Sequence, residues 1–266
     1  MSMIDTHAHV FSAQSAFIAN ARYRPDYTAC VEDYINILDD HGFGQGVLIQ
    51  PSFLGTNNEE MLSAIAKFPD RLKGVAVLDP TMRSTELETL NAQGILGVRL
   101  NLFGLPCPDL RQKPWSSFLA RLSQFGWQLE LHAPPSFLIQ LLPQLSPYDL
   151  DVVIDHFGRV DPDLGAADPD YQQLLSQLDP RQHWVKVSGY YRLDHKQYLQ
   201  PAIDAFHQLL DCGMRERLVW GSDWPHTQYE SQMSFSKALH NFETIVDDAN
   251  LVKKIITENN ARLFQF

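Results

Sequence analysis

Apolar and polar residues along the chain fall into two alternating rhythms. Short β-rich runs, in which every second side chain shares a face, occur eight times. They are MIDTHAHV from Met3, GVLIQPS from Gly46, LKGVAVLDP from Leu72, ILGVRLNLFG from Ile95, WQLELHA from Trp127, LDVVIDHFG from Leu150, HWVKVSG from His183 and RLVWGSDWP from Arg217. Between them, apolar residues recur at helical spacing. Val31, Tyr34, Ile35 and Leu38 form one stripe of a helix predicted over 28–41 and stopped by Gly42. Asn57 is positioned to cap a helix carrying Met61, Leu62 and Ile65, and Pro114 to open one carrying Trp115, Phe118 and Leu122. A last helix is predicted over 250–264.

Strand and helix alternating eight times imply parallel strands joined by crossover helices. Eight such units in about 250 residues close most economically as a single (β/α)8 TIM barrel spanning 1–266. The structural competitor is an open, doubly wound sheet. No GxGxxG or GxxxxGK[ST] follows any strand, so the usual nucleotide fingerprints of that alternative are missing. The Asp-, Pro- and Gly-rich stretch over 161–170 reads as a surface loop, not a linker.

Composition narrows the partners. The chain carries 21 Lys and Arg against 32 Asp and Glu, a formal charge of −11, so broad electrostatic attraction to nucleic acid or an anionic membrane is not expected. An anionic ligand would need local arginines. Cys30, Cys107 and Cys212 are odd in number and form no CxxC, which suggests neither a disulfide framework nor a thiolate zinc site. With no apolar leader and no run long enough to span a bilayer, the expected location is the cytoplasm. The oligomeric state is not legible.

In a barrel, polar residues at the C-terminal strand ends converge on one mouth. The first strand delivers His7 and His9, with Asp5 two residues earlier expected on the same face. The fifth delivers His132, the sixth His156 and the eighth Asp223. One such residue alone would more often cap a loop; imidazoles with one carboxylate suit a zinc-type site with a position open to water.

HxH on the first strand, His on the fifth and sixth and Asp on the eighth resemble the amidohydrolase superfamily of (β/α)8 hydrolases and lyases. DTHAHVF, ARYRPDY, VLIQPSFLG, GVRLNLFG, VIDHFGR, VKVSGYYR and WGSDWPH resemble its amidohydrolase-2 branch, in particular the lactonases of 2-pyrone-4,6-dicarboxylate and related lactones. The resemblance implies an enzyme that hydrolyses a lactone. Asp223 would be the general base for water, and His7, His9 and His156 would polarise the carbonyl, either as donors or by holding a divalent metal. Candidate metal ligands are His7, His9, His132, His156 and Asp223, with zinc the first choice. Substrate binding would fall to Arg99, Ser52, Tyr23, Arg192 and His132, the arginines matching carboxylates; Arg159 and Arg192 read equally as surface ion-pair residues, and Arg99, on an apolar strand, wants a buried partner.

Two departures bear on this. His132 stands where the dicarboxylate lactonases resemble a tyrosine-bearing pattern and the mononuclear zinc enzymes carry a ligand, which leaves a zinc-dependent decarboxylase as the alternative. The loop over 102–107 lacks an arginine for a second carboxylate, which suggests a monoanionic or neutral lactone. A binuclear centre is disfavoured because the bridging lysine that such relatives supply from the middle strands has no obvious match; Lys186 on the seventh strand reads as a lysine paired with a carboxylate, and Glu130, on the face of His132, as its hydrogen-bond partner or a barrel-interior charge. A non-catalytic binding barrel is the third reading.

Overall fold

A computed structural model describes residues 2–194, 196 and 198–266. Among these, eight parallel strands pair in sequence order: β1 (Met3–Ala8), β2 (Phe43–Ile49), β3 (Leu72–Ala76), β4 (Ile95–Asn101), β5 (Gln128–His132), β6 (Val152–Ile154), β7 (His183–Lys186) and β8 (Leu218–Val219). Each is followed by a helix: α1 (Val31–Asp40), α2 (Glu59–Lys67), α3 (Ser84–Ala92), α4 (Trp115–Phe125), α5 (Pro135–Leu145), α6 (Pro169–Gln177), α7 (Gln200–Asp211) and α8 (Phe235–Val246). This is the (β/α)8 barrel that the pattern predicts. α1 begins three residues late because Ala29 is engaged in a backbone bridge to Phe11, which leaves Cys30 extended at the N-cap.

The seam between β8 and β1 is closed differently from the others. Thr6 N donates to Trp220 O (3.3 Å), Asp223 N to His7 O (2.8 Å) and His9 N to Trp224 O (2.8 Å). A side chain at 221 would place its Cβ 2.3 Å from His7 N, so the close approach of the two segments requires Gly221. β8 is only two residues long, and the rest of its backbone pairs with a side chain. Asn260 accepts from Trp220 N (3.1 Å) and donates to Ile4 O (2.8 Å) and Trp220 O (2.9 Å). Asn259 donates to Leu218 O at 2.8 Å.

Those asparagines are presented by a break in the terminal helix. Instead of one helix over 250–264, α9 (Ala249–Lys254) and α10 (Asn260–Phe264) flank a π turn, Ile255–Asn259. A π turn admits an extra residue per turn and is frequent at special sites; here it aims Asn259 and Asn260 at the seam. α10 then packs Leu263 and Phe264 with Val47, Ile49, Val75, Leu96, Val153, Trp184 and Val219 in one buried apolar cluster drawn from strands around the barrel. The other face of these strands packs on the helices in the main core. Among the described residues no helix is long and apolar enough to cross a membrane.

Candidate active site

Above the apolar floor the barrel interior turns charged. Lys186, fully buried on β7, places Nζ 2.8 Å from Glu130 Oε1, 3.4 Å from Asp155 Oδ1 and 3.1 Å from His7 Nδ1, with the Phe264 ring beneath it. Arg99 donates from Nε to Asp155 Oδ2 at 2.9 Å, with a second nitrogen at 2.8 Å. Two cations thus face two carboxylates, all of them buried. Burial pushes the Glu130 carboxyl up while Lys186 pulls it back. Burial opposes ionisation of Asp155 too, but Lys186 and Arg99 together hold it below its ordinary value.

Local backbone strain sets the next layer. His156, Phe157 and Arg159 after β6, and Asp223 and His226 after β8, all have positive φ, from 49° to 65°. Non-glycine residues rarely adopt this region and cluster at functional sites when they do. The DHFG stretch is therefore a tight turn, not the extended strand end expected of it. It carries the His156 ring against Gly189, where a Cβ would lie 2.7 Å from Nδ1, and within 3.0 Å of Ser188 Oγ.

Asp223 is the centre. Its Oδ2 accepts from Tyr191 OH (2.6 Å) and Arg192 Nε (2.8 Å), while Oδ1 faces His7 Nε2 (3.8 Å) and His9 Nε2 (3.6 Å). Burial would raise this carboxyl, but Arg192 and His156 outweigh it and hold it well below the usual range. The imidazoles are lowered as well, but by burial itself, which keeps them neutral: His7 and His132 fall well below their ordinary value, His156 to about 3 and His226 to about 4. The structure brings His7, His9, His156 and Asp223 together.

The remaining expected residues divide. His9, His132, His156, Asp223, Arg99, Arg192, Ser52 and Tyr23 all line one cavity of roughly 200 Å³ at the mouth. His132 belongs to neither ligand cluster described below; its Nε2 accepts from Arg159 Nη1 at 3.2 Å, and its ring lies against Phe103. Arg192 and Arg99 are held by Asp223 and Asp155. Tyr23 and Tyr27 both donate to Glu230 Oε1 at 2.8 Å, linking the first and last loops. Asp5 does not reach the mouth. It accepts from Tyr34 OH, Ser222 N, Ser222 Oγ and the His7 backbone, and none of its bonds goes to an imidazole. Burial raises its carboxyl to about 6.

Sequence reading missed Asp155, Arg22 and Arg159 as site residues. Asp155 lies inside VIDHFGR beside His156, and Arg22 inside ARYRPDY, but nothing local says that they turn inward. Arg159, which read as a surface residue, lies over the Phe103 ring in the cavity wall, where burial lowers it to about 10. Arg22 donates to Asn101 Oδ1 at 3.2 Å. Among the described residues neither has a carboxylate partner. The cavity thus carries arginines from the first and sixth loops, Arg22 and Arg159, although the 102–107 loop has none.

On distance, two residue sets could hold a cation: His7, His9 and Asp223, or His7, Asp155 and His156, each with ligand atoms within 4.8 Å of one another. Proton positions are more selective. His9 Nδ1 lies 2.7 Å from Ile49 O, so it donates there and Nε2 keeps its lone pair, as a ligand must. His7 does not match: Lys186 occupies its Nδ1 as a donor, where a metal-bound histidine would itself donate.

The Amidohydro_2 profile, described as Amidohydrolase, matches residues 4–266. The chain belongs to this amidohydrolase family. It is 30% identical to the 4-sulfomuconolactone hydrolase of Rhizobium radiobacter over 98% of this chain and 89% of that one. It is 26% identical to the 2-pyrone-4,6-dicarboxylate hydrolase of Comamonas testosteroni with the same coverage. A crystal structure of a probable 2-pyrone-4,6-dicarboxylic acid hydrolase from Acinetobacter baumannii, with citric acid bound, superposes over all of both chains at TM-score 0.98 and 54% identity.

Proposed function

We propose that this amidohydrolase opens the ring of a carboxylated lactone, with 2-pyrone-4,6-dicarboxylate the leading candidate. The observation that carries the reading is the division of labour within Asp223: one oxygen is tied by Tyr191 and Arg192, and the other is left facing His7 and His9. The relatives act on lactones by name, and the Acinetobacter protein has a polycarboxylate bound.

Asp223 Oδ1 takes a proton from water as its oxygen attacks the lactone carbonyl. Donors at the mouth stabilise the negative charge that develops on the carbonyl oxygen. The C–O bond of the ring then breaks, and the proton held on Asp223 passes to the departing enol oxygen. An enol leaves more readily than an alkoxide, so a pyrone needs less electrophilic help than a sugar lactone. Arg22 and Arg159, each without a carboxylate of its own, would take the two substrate carboxylates. This favours a dianion over the monoanionic or neutral lactone. With His132 committed to Arg159, the zinc decarboxylase alternative loses the residue that suggested it.

A divalent ion, zinc first, is accommodated by distance at His7, His9 and Asp223, and the His9 lone pair suits it. The donor from Lys186 to His7 does not, so no step is assigned to a metal. The three cysteines, all free, agree with a reducing cytoplasm.

The test is to follow loss of the pyrone chromophore of 2-pyrone-4,6-dicarboxylate with purified protein, with and without chelator, alongside elemental analysis. Turnover that survives chelation is expected. No ring opening, or carbon dioxide released instead, would sink the lactonase reading, and stoichiometric zinc with full loss on chelation would restore the metal.

A further inference from the structure

The buried ammonium of Lys186 has no part in the chemistry above, yet its surroundings are tightly specified. It is fully enclosed in the barrel, bonded to two acceptors, Glu130 Oε1 at 2.8 Å and His7 Nδ1 at 3.1 Å, and in ion-pair contact with Asp155 Oδ1 at 3.4 Å. An ammonium has no lone pair and can only donate. His7 Nδ1 must therefore accept, and the ring proton of a neutral His7 must sit on Nε2. That nitrogen is buried, has no hydrogen-bond partner among the described residues, and faces Asp223 Oδ1 at 3.8 Å, too far for a bond.

His9, two residues along the same strand, is set the opposite way. Its Nδ1 donates to Ile49 O at 2.7 Å, so its Nε2 is a bare lone pair, 3.6 Å from the same Asp223 oxygen. One donor (His7 Nε2–H) and two acceptors (His9 Nε2 and Asp223 Oδ1) surround one point. This is the complement of a single water molecule: it accepts once, donates twice and keeps one lone pair free.

We propose that Lys186, held by Glu130 and Asp155, is a positioning residue that fixes His7 as an Nε2–H donor, and that His7, His9 and Asp223 together orient the attacking water. Glu130 and Asp155 set the position of Lys186, Arg99 anchors Asp155, and the Phe264 ring closes the site from below. The inference rests on the lactonase reading for its chemistry but not for its geometry. Two histidine tautomers of opposite sense, two residues apart on one strand, are a property of the resting protein.

Histidine-selective 15N NMR of the full chain, with His7 and His9 assigned by His7→Gln and His9→Gln, reads the tautomers directly. The expected result is Nε2-protonated His7 and Nδ1-protonated His9. An Nδ1-protonated His7 would overturn the proposal whether or not the protein turns over a lactone, whereas correct tautomers with no ring opening would fault only the lactonase reading. In Lys186→Met, and in Lys186→Met/Glu130→Gln to remove the stranded charge, His7 should lose its Nε2–H form. In the lactone assay kcat should fall about 100-fold, as for loss of a preorganised donor, with KM within about twofold. A folded variant whose His7 tautomer and kcat are unchanged would refute the role of Lys186. If neither variant folds, the wild-type spectrum still decides.

Discussion

Arg192 Nε donates to Asp223 Oδ2 at 2.8 Å, and this one contact sets both which carboxylate oxygen is free and how tightly Asp223 holds a proton. Of the groups that lower the Asp223 carboxyl against its burial, Arg192 is the largest. Arg192→Gln should therefore raise it. The acid limb of kcat/KM, below which the base is protonated, moves to higher pH, and kcat/KM at neutral pH falls roughly 10- to 100-fold. A pH–rate profile superposable on that of the wild type would count against Asp223 as base.

Asp223→Asn keeps the shape of the site and removes the proton acceptor. Turnover should drop by about 1,000-fold or more, while a non-hydrolysable dicarboxylate still binds in calorimetry with near-native affinity. A protein that binds the ligand equally well in both forms, and turns nothing over in either, would be a binding barrel and not an enzyme.

Arg22 and Arg159 come from loops far apart in sequence, yet both guanidiniums line the cavity without a carboxylate. Replacing either with Met should raise KM for a dicarboxylate about 10- to 100-fold, the scale of one charge-assisted hydrogen bond, and change kcat little. With a monocarboxylate substrate only one of the two variants should suffer. Equal losses on both substrates would mean that the arginines do not each hold one carboxylate.

Asn260 ties Trp220 to Ile4 by three buried hydrogen bonds across the seam. Asn260→Leu removes all three bonds and leaves Trp220 N without its partner, although Trp220 O keeps Thr6, a cost of about 2–4 kcal/mol, visible as a lower midpoint in urea. The effect should be as large with saturating dicarboxylate present as without it, because Asn260 does not line the cavity.

Stability should also depend on pH in a defined direction. His7, His132, His156 and His226 are all depressed by burial, the last two to about 3 and about 4. The unfolded chain takes up protons near 6.5 that the folded protein refuses, so stability is full above that value and is lost as pH falls through it. Asp5, raised to about 6, has the opposite sign: its contribution is complete below its unfolded value of 3.8 and is lost as pH rises through about 6. Glu130, raised to about 7, has the same sign as Asp5, and four histidines outweigh the two carboxyls. Urea midpoints measured in chelator should therefore fall steadily from pH 6.5 to 4.5, and a flat profile would show that the histidines are not neutral in the folded state.

Strand order, helix order and the residues at the strand ends were legible because each rests on local periodicity: Tyr34 and Leu38 keep a stripe, and His7 and His9 a face. What local pattern cannot carry is closure. Arg99 wanted a buried partner, and that partner is Asp155, 56 residues away, found only once the barrel brings β4 and β6 together across its interior. Arg159 looked like a surface residue because its inward course depends on positive φ at His156, Phe157 and Arg159 itself, which no propensity predicts. Asp5 misled for the same reason: strict alternation puts it with the histidines, but the irregular pairing of β1 between Asp5 and Ala8 turns it toward Tyr34 and Ser222.

The asparagine clasp has a consequence in the order of synthesis. All eight strands leave the ribosome before Asn259 and Asn260, and so do Val47, Val75 and Trp184, whose apolar floor is completed by Leu263 and Phe264. Until those last residues emerge, the nascent sheet has a frayed edge on either side of its seam and an unsealed hydrophobic base. Asn259, Asn260, Leu263 and Phe264 thus act as a latch on the barrel that can engage only after all eight strands have been made.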